Sequence, residues 1–221
     1  MPSAPPTEPG AASGDPRLGA VDALAASLVE RARPLRLDVA REQAEREQLF
    51  RLRCRAVVER RWAAPDAFPD GLEREPVDER AVHVGAWRGG EAVAAARLIF
   101  PEPGRRLPVE ELFELELEPA GAVVQVDRVT VARAESDRSH RLLATLMARC
   151  WLELRAAGFA LGVGIDSPAM LRLYRRLGFT TSVLAPPRAY WGEERVPVLF
   201  DPAEASDALW ARLGGAAGAG R

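Results

Sequence analysis

The hydrophobic pattern is most regular in the second half of the chain. Residues 123–132 form a largely apolar run that predicts a strand. Apolar residues then recur at helical spacing from 142 to 154, and Gly158 is placed to end that helix. Residues 159–165 form a second apolar run. We therefore expect a strand, a polar loop, a helix and another strand, in that order.

A further helix and two strands are predicted beyond this point. Ser167 suits a helix N-cap, Pro168 suits the first helical position, and Gly178 is placed to end the helix. Residues 179–184 and 196–200 predict strands. The order of elements suggests a splayed pair of strands with helix N-termini at their ends, a scaffold that can hold the pantetheine arm of an acyl thioester.

The first half begins with a predicted helix over residues 38–62. Phe50, Cys54, Val57 and Val58 share one face of it, and arginines and glutamates cover the other. The apolar face indicates that this helix packs on a sheet.

A loop, a hairpin and a short helix follow. Prolines and a glycine interrupt residues 63–79, which predicts a loop. Residues 81–88 and 92–100 predict strands joined by Gly89-Gly90, a dipeptide typical of hairpin turns. Residues 109–117 predict a short acidic helix.

The two ends differ in composition from the middle. Residues 1–34 are predicted to be a disordered leader with a short helix around Val21, Leu24 and Leu28, which could dock on the domain or stay mobile. One domain is expected over residues 35–203, and residues 204–221 predict a Gly/Ala-rich tail.

Composition excludes several classes of function. The formal net charge of -2 and the pI near 5.9 argue against a general nucleic-acid binder. All 30 basic residues are arginines, so no lysine is available as a base or Schiff-base former. His83 and His140 lack the spacing of a metal site, so no metal is expected.

The same sequence predicts a cytoplasmic protein. The first residues lack the pattern of a signal peptide, and the chain has no apolar run of the roughly 20 residues that span a bilayer. Cys54 and Cys150 lie in apolar helical patterns, which favours buried free thiols; a disulfide or a nucleophile is the alternative.

Residues 132–143 lie where a phosphate-binding loop would follow the first strand of the splayed pair. Acyl transfer from a thioester needs mainly positioning and stabilisation of the oxyanion, since the thioester is already activated. Arg133, Arg138, Ser139 and Arg141 offer donors to phosphate. The alternative is the capped, solvated start of a helix.

Two segments of the second half resemble the GNAT N-acyltransferase superfamily. Residues 123–131 with the following helix, and residues 171–179, resemble its acyl-CoA-binding half, and Leu173-Tyr174-Arg175-Arg176-Leu177-Gly178-Phe179 is the most specific string. The resemblance implies a mixed α/β fold: a mostly antiparallel central sheet with splayed strands, flanked by helices. The chain departs from the family at the phosphate loop, where no glycine occurs between Gly121 and Gly158.

The first half is similar to acyl-homoserine-lactone synthases and bacterial N-acyl amino acid synthases. The similarity runs from about residue 47 to residue 201. Its pieces are residues 51–62, the acidic stretch Glu73-x-Glu75-x-x-Asp78, Ala96-Arg97-Leu98-Ile99 before Pro101, and Gln125-Val126-Asp127-Arg128, where those enzymes typically carry Glu-x-Ser-Arg.

The resemblance implies roles for individual residues on the acceptor side. Arg53 and Trp62 would shape the entrance for acceptor and acyl group, and Glu75 and Asp78 would hold the ammonium of the acceptor. Arg97 would order the loop of residues 73–78, called the acidic loop below. The alternative is that Glu75 and Asp78 are solvated loop acids and that Arg97 only forms an ion pair across the sheet.

The catalytic residues implied by the resemblance are Gln125, Asp127, Arg128 and Tyr174. Arg128 would order the active-site strand, and Tyr174 would protonate the departing thiolate. Gln125 stands in place of the usual Glu and cannot act as a base. Asp127 could supply a carboxylate instead, or a water could accept the proton. Tyr174 could instead be a helix residue packed on the sheet.

The implied co-substrate is acyl-CoA or an acyl-phosphopantetheine. The residues that would bind it are Val129 and Val131 of the strand together with Arg133, Arg138, Ser139 and Arg141 of the loop. The implied partners are a small-molecule amine and an acyl carrier protein as a possible donor. Oligomeric state is left open.

Three functions compete at this point. The first is an N-acyltransferase that moves an acyl group from a thioester to the amine of a small molecule such as an amino acid. The second is an acetyl-CoA-dependent N-acetyltransferase. The third is a catalytically silent module of the same fold that binds a ligand or partner, favoured by Gln125 and the missing loop glycines.

Overall fold

The computed structural model describes residues 16–177 and 180–201, with side chains except at residues 16, 136–140, 173, 176 and 177. Its helices are α1 (Pro16–Glu30), α2 (Gln43–Glu59), α3 (Pro108–Phe113), α4 (Ser139–Ala156) and α5 (Pro168–Leu177). Its strands are β1 (Arg36–Val39), β2 (Val82–Arg88), β3 (Glu91–Ile99), β4 (Val123–Val131), β5 (Leu161–Asp166), β6 (Thr181–Val183), β7 (Arg188–Tyr190) and β8 (Glu193–Phe200).

The strands form a mixed sheet in the order β1-β2-β3-β4-β5-β8-β6, and β7 pairs with β8. Neighbouring strands are antiparallel except β4 and β5, which are parallel. Helix α4 connects these two, because parallel neighbours need a crossover. The predicted fold class, a mostly antiparallel mixed sheet flanked by helices, is confirmed.

The alternation of side chains along β3 divides the structure into two layers. Ala94, Ala96 and Leu98 belong to the core beneath α4, which Leu142, Leu146, Cys150 and Leu154 complete. Ala95 belongs to the core with α2, and Ile99 to the core with α3. Arg97 lies between these two residues on the same face and is buried.

Helix α1 docks on α4. Leu18 and Ala25 are buried, and Asp22 accepts a hydrogen bond from the indole of Trp151 at 2.6 Å and from Arg155 at 3.2 Å. The short helix expected in this region is therefore present and packed. The rest of the predicted leader, residues 1–15, and the predicted tail lie outside the described residues.

The start of the predicted helix 38–62 is wrong. Residues 36–39 form β1, which pairs with β2, and the helix begins only at Gln43. The carboxylate of Glu45 accepts hydrogen bonds from the backbone N–H groups of Arg41 and Glu42, which fixes the helix start after the strand.

Two further elements differ in their bounds from the sequence prediction. The acidic helix predicted over 109–117 ends at Phe113, because Glu114 adopts a left-handed conformation at φ 54°. The last strand extends back to Glu193 and forms a hairpin with β7, which has no apolar pattern of its own.

Both cysteines are buried and free. Burial raises the pKa of both thiols, that of Cys150 to about 12, which disfavours a nucleophilic role for either. Within the described ranges, no helix is long and apolar enough to cross a membrane.

Candidate active site

Strands β4 and β5 separate midway along their length. They pair only where Val123–Gln125 lies beside Leu161–Val163. Beyond that point β4 remains paired with β3 and β5 remains paired with β8. The facing edges therefore have backbone groups available to pair with an extended ligand. This arrangement is the splayed pair of strands expected from the sequence.

A bulge in β4 accompanies this separation. Arg128 has a φ of 51°, and the β3–β4 register slips by one residue between Ala95 and Arg97. An extra residue in one strand bends it and redirects its side chains. Here the bend aims Arg128 toward the acidic loop.

Beside the bulge lies a buried charge cluster with a formal charge of -1, from three arginines and four carboxylates. Its members come from α2, the acidic loop, β3 and β4. They are Arg53, Glu73, Glu75, Asp78, Arg97, Asp127 and Arg128.

Arg97 is the centre of this cluster and is 1% exposed. It holds Asp127 with two parallel hydrogen bonds of 2.7 and 2.8 Å. Its remaining nitrogen, Nη1, donates to Glu75 at 2.9 Å and to Asp78 at 3.0 Å. Burial alone would lower the pKa of Arg97, but these carboxylates raise it. A single side chain thus fastens the loop to two strands.

Arg53 completes the inner half of the cluster. It donates to Glu73 and grips both oxygens of Asp78 at 2.9 and 3.1 Å. Burial would raise the pKa of Asp78, but the hydrogen bonds and charges of Arg53 and Arg97 outweigh it and lower the pKa to about 2. Asp78 is therefore ionised, and its oxygens accept from the two arginines and from the backbone N–H of Glu75 at 2.7 Å.

Arg128 joins the cluster to the last hairpin. It donates to Glu73 at 3.1 Å, to Glu75 at 2.7 Å and to the hydroxyl of Tyr190 at 2.9 Å. Its guanidinium also lies 4.9 Å from the ring centre of Trp191. Arg128 is thereby held from two sides.

Glu75 is where the cluster meets water. Its side chain is 38% exposed, whereas those of Glu73, Asp78 and Asp127 are at most 6% exposed. A groove of about 630 Å³ adjoins it, lined in part by Arg46 and Phe50 of α2. Because the cluster carries one excess negative charge, an ammonium group beside Glu75 would neutralise it.

Gln125 is completely buried beneath the cluster. Its carbonyl oxygen accepts from the backbone N–H of Val109 at 2.9 Å, and its amide nitrogen donates to Asp127 at 2.7 Å. An amide satisfies both partners at once, and a carboxylate would not. The buried carboxylate stands at 127, two positions after the place where the similar enzymes typically carry Glu.

The hairpin of β7 and β8 forms the outer wall of the site. Trp62 donates from its indole to Glu193 at 3.2 Å. At the other end, Arg188 donates to the carbonyl oxygen of Leu112 at 2.6 Å and to Glu114 at 2.9 Å. The hairpin thus bridges α3 and the end of α2.

The structure brings together all of the predicted acceptor-side residues except Trp62, which contacts the hairpin instead. It also adds three that sequence reasoning missed: Glu73, Tyr190 and Trp191. Glu73 was visible in the acidic stretch but had the pattern of a solvated loop acid. The two aromatics belong to a strand and turn that show no periodicity.

The predicted phosphate loop has an unexpected form. Residues Arg133–Arg138 make 3-10 turns that run directly into α4. Arg133 and Arg141 are exposed, while the side chains of Arg138 and Ser139 lie outside those the structure describes. Glu135 is buried and accepts two hydrogen bonds from Arg88, at 2.9 and 3.1 Å. An acid at this position weakens the attraction for a pyrophosphate.

Val129 and Val131, the other predicted contacts for the acyl carrier, lie on the part of β4 that has separated from β5. Both are partly exposed. Their backbone edge is therefore available to a pantetheine arm.

Tyr174 lies on α5 and reaches back to the end of β5. Its hydroxyl donates to Asp166 at 3.3 Å, and its ring packs edge-on against Phe200. Burial raises the pKa of Tyr174, and Asp166 raises it further. The ring thus packs on the sheet while the hydroxyl is engaged with an acid.

Comparison with solved structures gives relatives for this fold. The chain is similar to BjaI, a CoA-dependent acyl-homoserine lactone synthase solved with SAM and isopentyl-CoA, at 27% identity and a TM-score of 0.59 over 76% of this chain and 81% of that one. TofI, solved in a ternary complex with an inhibitor and MTA, matches at 21% identity and 0.61, over 81% of this chain and 96% of that one.

FeeM, an N-acyl amino acid synthase from uncultured soil microbes, matches at 16% identity and a TM-score of 0.60, over 80% of this chain and 97% of that one. No family model and no curated protein matches the chain. The structural matches confirm the GNAT-like fold expected from the sequence.

Proposed function

We propose that the protein is an N-acyltransferase that moves an acyl group from a thioester to the amine of a small molecule. The observation that carries this is the pairing of two features. An opened strand edge suits the amide-rich pantetheine arm, and a charge cluster with one excess negative charge ends beside it at the exposed Glu75.

The acceptor ammonium binds at Glu75 and loses a proton to water as it becomes a nucleophilic amine. Its nitrogen attacks the thioester carbonyl, forming the C–N bond, the C–S bond breaks, and the nitrogen releases a second proton to water. Tyr174 gives the thiolate its proton. The cluster positions Glu75 rather than acting as a base itself, because the oxygens of Asp78 and Asp127 are occupied by arginine and glutamine donors.

The acceptors and acyl donors to be tested are chosen from what the similar structures contain. BjaI was solved with SAM and isopentyl-CoA, and FeeM is an N-acyl amino acid synthase. We therefore place SAM and the common amino acids among the acceptors. Short, branched and long acyl groups, on CoA and on an acyl carrier protein, make up the donors.

The test measures thiol release from each donor with each acceptor by the purified full chain. Glu75→Gln is the test variant, and Glu59→Gln, which changes an exposed acid at the end of α2 outside the lining of the groove, is its matched control. Losing the charge at 75 should raise the KM for the acceptor by about tenfold or more, since a charge-assisted hydrogen bond is lost.

Failure of the unmodified chain to release thiol from any donor would overturn the proposed function. An acceptor KM equal in the two variants would instead remove Glu75 from the acceptor site while leaving acyl transfer intact.

A second candidate is a binding module of the same fold without turnover. Two observations favour it: Gln125 in place of a carboxylate, and the buried Glu135 within the phosphate loop. Saturable binding of acyl-CoA or acyl carrier protein without release of thiol, for every acceptor, would select this candidate.

A further inference from the structure

Asp166 and Tyr174 meet at the place where β4 and β5 have separated. Asp166 is the last residue of β5, three residues beyond the end of its pairing with β4. Tyr174 comes from α5, and its hydroxyl donates to Asp166 Oδ1 at 3.3 Å. The contact joins α5 to the end of β5, beyond its pairing with β4.

Gly164 makes room for the second oxygen of this carboxyl group. A Cβ at position 164 would lie 2.8 Å from Asp166 Oδ2 and 3.6 Å from the carbonyl oxygen of Val126 on β4. Asp166 therefore lies on the face of the sheet to which a side chain at 164 would point, which Phe200 shares. The half-buried carboxyl group stands just beyond the last paired residues of β4 and β5.

The surroundings of Asp166 are poor in charge. From α5 it contacts the hydroxyl of Tyr174, and from β8 it feels the charge of Arg195, which is paired with Glu193 at 3.0 Å. Burial raises the pKa of Asp166 to about 6, and the phenol and Arg195 only partly oppose this. Near pH 6 the carboxyl group thus carries a proton in a substantial fraction of molecules.

The phenol alone is a weak donor in this setting. Burial raises the pKa of Tyr174 above its ordinary value, and the charge of an ionised Asp166 raises it further. Protonation of Asp166 removes that charge. The carboxyl group can then donate its proton to the phenol oxygen as the phenol gives its own proton to a thiolate.

We propose that Asp166 is the positioning and proton-relay residue through which Tyr174 protonates the departing thiolate, an assignment that rests on the proposed acyl transfer. As the C–S bond breaks, the thiolate takes the phenolic proton of Tyr174. Tyr174 takes the carboxyl proton of Asp166, and Asp166 regains a proton from water. The acceptor nitrogen releases its protons to water, so the reaction is balanced.

The first experiment compares pH–rate profiles of the unmodified chain and Asp166→Asn. Asp66→Asn, an exposed change of the same chemistry, is the matched control. The unmodified chain and the control should lose kcat as pH rises from about 6, because the protonated carboxyl is required. Asp166→Asn should not show this decrease of kcat with pH, and its kcat at pH 6 should be on the order of 10- to 100-fold lower than that of the unmodified chain.

The second experiment changes the leaving group. Acyl thioesters of N-acetylcysteamine and of 4-acetamidothiophenol both mimic the end of pantetheine, but the aryl thiolate leaves without needing a proton. The loss caused by Asp166→Asn should be large with the first donor and nearly absent with the second. A purely structural defect would slow both donors equally and would overturn the relay.

The third experiment is independent of turnover. The chain has two tyrosines, so a Tyr190→Phe background with ring-labelled tyrosine leaves one NMR signal, that of Tyr174. This signal should shift with a midpoint near pH 6 and lose that step in Asp166→Asn. No step near pH 6 would overturn the coupling. If the step is present but no donor is turned over, the proposed function fails while the coupling stands.

Discussion

Two aspartates, Asp78 in the charge cluster and Asp166 at the end of β5, have pKa values shifted in opposite directions. Burial penalises the charged form of both. Around Asp78, two arginines outweigh that penalty and lower the pKa to about 2. Around Asp166, a phenol and one arginine do not, and the pKa rises to about 6. The same side chain is thus a fixed anion in one place and a titratable acid in the other.

The difference bears on how the two groups would act in the proposed acyl transfer. Every carboxylate oxygen of the charge cluster has a hydrogen-bond donor, so its geometry is set before an acceptor would bind. The Asp166–Tyr174 pair has a single hydrogen bond between its members, and in the proposed relay it supplies a proton. Variants that disturb the cluster should therefore damage the fold, and variants of the pair should damage the rate.

The largest expected effect comes from breaking the centre of the cluster. Arg97→Met leaves Asp127 and Asp78 without their shared partner in a buried site, which costs about 3–5 kcal/mol of unfolding free energy. Urea unfolding measures it. The matched control is Arg51→Met, whose guanidinium is exposed and pairs with Glu47, with an expected loss below about 1 kcal/mol. Equal losses would show that the cluster is not the structural centre.

The next largest effect concerns the placement of the buried carboxylate at 127 rather than 125. Gln125→Glu places a second buried anion against Asp127 and should cost about 2 kcal/mol or more, again measured by urea unfolding. Adding Asp127→Ser should recover much of that loss, because a single buried anion then remains at these two positions. A double variant no more stable than Gln125→Glu would show that repulsion between the two anions is not the cause.

The two aspartates should give stability opposite pH dependences. The pKa of Asp78 is depressed, so its contribution is present above about pH 4 and lost as pH falls toward 2. The pKa of Asp166 is raised, so folding is favoured below about pH 4 and loses stability as pH rises toward 6. Each effect amounts to about 2 to 3 kcal/mol, since each shift is about two pKa units and one unit is about 1.4 kcal/mol.

Unfolding free energies of Asp78→Asn and Asp166→Asn across pH 2–8 test these signs. Asp166→Asn should gain stability relative to the unmodified chain as pH rises from 4 to 6. Asp78→Asn should lose its disadvantage as pH falls below 4. Curves parallel to that of the unmodified chain would refute the opposite shifts.

The smallest effect is expected at the outer wall. Tyr190→Phe removes the hydroxyl that accepts from Arg128, while Glu73 and Glu75 still hold that guanidinium. The loss should be about 1 kcal/mol, measured by urea unfolding. A loss as large as that of Arg97→Met would place the centre of the cluster at the hairpin.

Local features of the fold could be predicted because they depend on neighbouring residues. The turn at Gly89-Gly90 and the bounds of β4 are within one residue of the expectation. Strand β1 was missed because four residues are too few to show a period and its partner β2 lies more than 40 positions away. Strand β7 is shorter still.

The site was predictable in its residue types and not in its pairings. The resemblance selected Arg97 and Asp78, whose contact spans 19 positions, but the Arg128–Glu73 contact spans 55 and depends on the bulge in β4. Asp166 has no motif at all. Its contact with Tyr174 forms only when α5 folds back over the end of β5.

The central claim is that an amine is acylated beside Glu75, and the most direct measurement is the mass of the product. The unmodified chain, given an acyl thioester and an amine acceptor, should yield the acceptor with one acyl group on nitrogen, and Glu75→Gln should yield far less at low acceptor concentration. Release of free acid with no acylated amine, or equal product from both proteins, would contradict the account.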